Sequence, residues 1–148
     1  MKKVTLRADK QIVFVAGAVS VCCALVLLTP WFLQKFSARQ QAGAKAAYAT
    51  LARALETGDA ARINQQTDQQ SRASLREVAA QMGGQQKLGK WMRTVGQVEP
   101  VMHMIFTVDV IASDRQNIVY FQFSQRNGRW LLVVAFVDHA PQNERHAL

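Results

Sequence analysis

Three periods of apolar and polar residues follow one another along the chain. Residues 11–33, QIVFVAGAVSVCCALVLLTPWFL, are apolar on every side, with no charge between Lys10 and Lys35. At about 1.5 Å per residue, a helix of that length crosses the ~30 Å hydrocarbon core of a bilayer. It lacks the polar stripe of a helix packed on a water-exposed core. Beyond it, Ala44, Tyr48, Leu51 and Leu55 recur at helical spacing and predict a helix ended by Gly58. Asp59 caps a short helix through Ile63, and the polar stretch NQQTDQQSR is a solvated helix or a loop. Ser74-Leu75-Arg76-Glu77 has the form of a capping box, predicting a helix from Ser74 with Leu75, Val78, Ala79 and Met82 on one face. Leu88, Trp91, Met92 and Val95 repeat that spacing and stop before Gly96.

From Val98 the period falls to two. Val98, Met102, Met104, Phe106, Val108 and Val110 share one face of a single long strand, and Glu99, His103, Thr107 and Asp109 mark the other. A turn at 113–117 leads into IVYFQFSQ, and Asn127-Gly128 is a strong hairpin signal. Residues 129–137, RWLLVVAFV, are apolar on both faces, as for a central strand. Helices grouped before about three to four antiparallel strands predict an α+β domain with the helices on one face of a curved sheet. About 110 residues suffice for one such core.

The flanks of the apolar run set its orientation. Lys2, Lys3, Arg7 and Lys10 against Asp9 keep residues 1–10 cytoplasmic. The run is too long for the apolar part of a cleaved signal, and Val21 before Cys22 does not fit a lipid-attachment site. The expected plan is a cytoplasmic tail (1–10), a retained membrane helix (11–34), an exported domain (35–140) and a polar tail (141–148). For a bacterium this means the inner membrane, with the domain in the periplasm. Both cysteines fall in the membrane segment, leaving the exported part without a disulfide.

The formal charge is +8, and fourteen of the eighteen Lys and Arg lie spread through residues 35–148. No basic run interleaved with aromatic residues argues for specific nucleic-acid binding, whereas anionic headgroups near the anchor suit a basic domain. His103, His139 and His146 are scattered without metal-ligand spacing, and neither a serine-nucleophile elbow nor a phosphate-binding loop occurs. No cofactor, metal or catalytic set is therefore assigned.

The exported part resembles the nuclear-transport-factor-2-like superfamily, a cone-shaped α+β fold. The resemblance rests on AYATLARALETGDAARI, like the opening helix pair; LGKWMRTVGQVEPV, like the helix that feeds the first strand; and VYFQFSQRNGRWLLVVAFVD, like the final hairpin. It covers residues 45–138. Single-span bacterial proteins of this plan look like the assembly-factor subunits of type IV secretion and conjugation machines. This chain is shorter than those and lacks their Asn-Pro-x-Gly turn. The resemblance implies a non-enzymatic scaffold contacting other envelope proteins or its own copies. Enzymes of the superfamily use Asp, His or Tyr in the cone, which makes His103, Asp109, Tyr120 and Asp138 the candidate pocket residues for an alternative small-molecule-binding or isomerase-like domain. On one extended strand, His103 and Asp109 stand about 20 Å apart, too far for a base and its orienting carboxylate. Tyr120 otherwise reads as a packing residue and Asp138 as a strand end. Trp91 and Trp130 are candidate core anchors or interface residues.

Overall fold

The computed structural model describes the backbone of residues 5–139 and the side chains of residue 30 and residues 32–138. The chain forms two compact units, residues 1–38 and 39–148. Helix α1, Thr5–Thr57, contributes to both. Among the described residues no helix is long and apolar enough to cross a membrane. The side chains of most of the run 11–33, on which the expected membrane helix rests, lie outside those described, as do those of both cysteines, and the tail 141–148 lies outside altogether.

In the second unit α1 is followed by α2 (Ala60–Gln66), α3 (Ser71–Gln81) and α4 (Gln85–Thr94). Four strands come next: β1 (Gln97–Met104), β2 (Thr107–Ser113), β3 (Asn117–Arg126) and β4 (Arg129–His139). They form one antiparallel meander in the order β1-β2-β3-β4, so the chain has the expected α+β class.

The core lies between one face of the sheet and the helices. Leu51 and Leu55 of α1, Val78 of α3 and Leu88 and Met92 of α4 are buried together with Val108, Val110, Val119, Phe121, Phe123 and Leu132. The predicted helix face Ala44, Tyr48, Leu51 and Leu55 is thus the core face of α1. Tyr48 sets its ring edge-on to Phe121 with centroids 5.3 Å apart, and its hydroxyl donates to the Met92 carbonyl at 3.0 Å. That bond satisfies the polar end of an otherwise apolar side chain, and burial pushes the phenol well above its ordinary range. Gly89 lets α4 lie against α1: a methyl group there would come within 3.0 Å of the backbone of Ala52 and Glu56. One turn further on, Arg93 pairs with Glu56 across the same helix contact.

Turn chemistry agrees with the sequence at three points. Gly58 takes φ +72° at the end of α1, the Asp59 carboxylate accepts from the Arg62 amide at 3.1 Å, and Asn127 and Gly128 take φ 51° and 75°. Both φ values at the β3–β4 turn are those of a type I′ hairpin.

Three expectations are corrected. The long strand from Val98 is a hairpin, turning at Ile105 and Phe106 with Met104 opposite Thr107. Met104 and Phe106, expected on the core face, are exposed. The helix expected from Ser74 starts at Ser71, where Asp68 accepts from the Ser71 amide at 2.7 Å. Ser74 caps nothing; its hydroxyl donates to the Ser71 carbonyl and accepts from the Ala135 amide of β4 at 3.2 Å. The polar stretch before α3 also buries Thr67 and Ser71. Finally, β4 is an edge strand and not a central one. Its free side is met at one point, where Thr67 bridges Leu132 in parallel.

Candidate functional site on the outer face of the sheet

Alternation along each strand sends every second residue away from the helices. The register aligns Val101 with Asp109, Asp109 with Gln122, and Gln122 with Val134. One step along, Ile111, Tyr120 and Phe136 are neighbours. This face is half-exposed or exposed throughout and mixes apolar with polar groups.

At its centre the β1–β2 hairpin folds His103 back onto Asp109. His103 Nδ1 lies 3.2 Å from one Asp109 oxygen, and Gln122 Nε2 donates to the other at 3.0 Å. The separation expected along one extended strand is corrected by the turn at Ile105-Phe106, which halves the run and reverses its direction. An imidazole oriented by a carboxylate has the form of a general base with its positioning partner. Here the imidazole side chain is 54 % exposed on an open sheet, so no wall of protein excludes water from it. The cluster's chemistry is that of a polar patch able to exchange hydrogen bonds with a docked surface.

Beside it Tyr120 and Phe136 stack, centroids 4.7 Å apart and planes 9° from parallel. Phe136 stays half-exposed, as do Val101 and Val134. Asp138 sits opposite Ile118 at the far end of β4, away from His103. The four pocket candidates therefore share one face, but only His103 and Asp109 touch. They lie outside the space between sheet and helices, which Phe121, Phe123, Leu51, Leu88 and Met92 fill.

Neither tryptophan belongs to this face. Trp91 is half-buried and its indole N–H donates to Asp114 in the β2–β3 turn. Burial would raise the Asp114 carboxyl, but that bond and the Gln116 and Asn117 amides outweigh it and hold the group below its usual range. Trp130 lies over Gly43 of α1, where a methyl group would collide with the indole. Both are packing residues at the rim of the core.

A separate cleft of about 310 Å³ lies on the helical side, lined by Leu55, Ile63, Asn64, Arg72, Leu75 and Arg76 among others. Arg72 is already engaged there by Thr67 Oγ1 and the Asn64 carbonyl. Among the described residues, no three His, Cys, Asp or Glu stand together as a metal site. Gln122 went unmarked in the sequence because its role follows from cross-strand register, not from its neighbours in the chain. Comparison with known proteins finds no matching family model, no matching curated protein and no matching solved structure.

Proposed function

We propose that the protein is a non-enzymatic, single-pass inner-membrane protein whose exported α+β domain docks another envelope protein on the outer face of its sheet. The observation that carries this reading is that face itself: stacked Tyr120 and Phe136, with Val101 and Val134, surround the His103–Asp109–Gln122 cluster and are left uncovered by the helices. Aromatic and aliphatic anchors ringed by hydrogen-bonding groups suit a protein interface. The filled core gives no comparable support to a ligand-binding or isomerase-like cone.

The anchor rests on the uncharged run 11–33. Its last described residues support it, since Phe32 and Leu33 are large apolar side chains exposed at 69 % and 61 %. Helices followed by an antiparallel meander have the element order of the nuclear-transport-factor-2-like plan, and the likeness to secretion-machine assembly factors is part of the proposal.

Photocrosslinking in intact cells tests the docking face. A photoreactive residue at Phe136 or Val101 is expected to capture the same envelope protein, while one at Arg115 in the β2–β3 turn does not. Capture of this chain alone would replace the partner by a second copy. No adduct from either position would overturn the docking reading.

A further inference from the structure

The β1–β2 turn carries three consecutive large apolar residues, Met104, Ile105 and Phe106, exposed at 66 %, 62 % and 54 %. A two-residue hairpin turn is normally built from Asn, Asp or Gly, and packing does not require these side chains, because they pack on nothing in the domain core. Three neighbouring exposed apolar residues on a loop tip call for an apolar environment.

The fold supplies the place. Phe106 accepts from the Gln125 amide at 2.8 Å, Gln125 is opposite Trp130, and Trp130 lies over Gly43 of α1. With strands about 4.8 Å apart, the tip is two strand spacings from Trp130, the β4 residue that lies on the part of α1 where the chain enters this unit. Only five residues separate Leu33, the end of the apolar run, from Arg39, the first residue of the unit. Fully extended, that stretch reaches no more than about 22 Å. The tip therefore lies at the end of the domain at which the chain enters from residues 11–33.

Charge agrees with position. The neighbouring β3–β4 turn is flanked by Arg126 and Arg129, both exposed. Asp68 pairs with Arg126 at 3.6 Å and Asp109 with His103, so that among the described residues Arg129 is the cation of this turn without an ion pair. A cation beside an apolar tip matches an anionic headgroup layer over acyl chains.

We propose that Met104, Ile105 and Phe106 form a second membrane contact, dipping into the interfacial layer of the anionic bilayer that anchors the chain. This deepens the anchored reading above and rests on it. The domain is then held at two points.

The test uses the full chain in phosphatidylcholine–phosphatidylglycerol vesicles containing lipids spin-labelled on the acyl chain. An environment-sensitive fluorophore is placed on Ile105→Cys or on Arg115→Cys in a Cys22→Ala, Cys23→Ala background, and separately on native Cys22 with Cys23→Ala. Several-fold stronger quenching at position 105 than at 115, reduced by Arg126→Glu with Arg129→Glu, is the expected result. Equal, weak quenching at 105 and 115 with Cys22 quenched would overturn the tip contact and leave the anchor standing. Quenching at 105 without quenching at Cys22 would keep the tip contact and remove the anchor. Loss at both positions would remove both.

Discussion

The two faces of the sheet are built from the same strands and meet opposite fates. Inward residues Val108, Val110, Val119, Phe121, Phe123 and Leu132 are fully buried, whereas Val101, Val134 and Phe136, on the face turned away from the helices, stay open. Folding free energy is gained where area leaves water, so the inner face determines whether the domain exists. The outer face is under no such demand and retains large apolar side chains all the same. An apolar residue that stability does not require is a pointer to contact with something else.

Substitutions can break or sharpen that contrast. The largest effect is expected at Phe121→Ala, which empties a site against Tyr48 and should cost about 3–5 kcal/mol in chemical denaturation. Gly89→Ala, where the added methyl group has no space against α1, should cost about 1–3 kcal/mol. Asp68→Ala removes an acceptor from the first turn of α3 and should cost about 0.5–2 kcal/mol. Hydrogen bonding from the Ser71 amide, helped by its hydroxyl and Arg126 and opposed by burial, holds the Asp68 carboxyl below its ordinary 3.8. A depressed folded value means stabilisation fully present above the ordinary value and lost as pH falls through the folded one. The wild-type urea midpoint should therefore drop on acidification below pH 3.8, and drop less in Asp68→Ala. The smallest effect on stability is expected at Phe136→Ala, under about 1.5 kcal/mol for loss of one exposed stacking pair. On the docking proposal, photocapture from a probe at Val101 should nevertheless disappear in this variant. A cost at Phe136 equal to that at Phe121 would erase the distinction between the faces.

Helix faces, the Gly58 stop and the Asn127-Gly128 turn were legible because each depends on residues a few positions apart. The β1–β2 turn was not. Ile105 and Phe106 are poor turn formers, and the alternation that marks a strand runs through them unbroken, so one strand and two could not be told apart. That miss also hid the site. His103 meets Asp109 only after the turn, and Gln122 joins them only through the β2–β3 register. The capping-box motif at Ser74 failed for a related reason: its serine is used 61 positions away, on the Ala135 amide. Local patterns predict local partners, and tertiary partners take the residues that remain.

The last strand also governs the order in which the domain can be completed. β4 supplies Leu132 and Ala135 to the core, receives the Ser74 hydroxyl and sets Trp130 against Gly43. A chain made from its N-terminus has all four helices and three strands available before Arg129 emerges, yet the contact that closes α1 and α3 over the sheet is still missing. Until then Phe121 and Phe123 lack one wall, and the exposed edge of β3 is open to any passing strand. Until residues 129–139 pair, the partly made domain therefore keeps an apolar core face and a strand edge open.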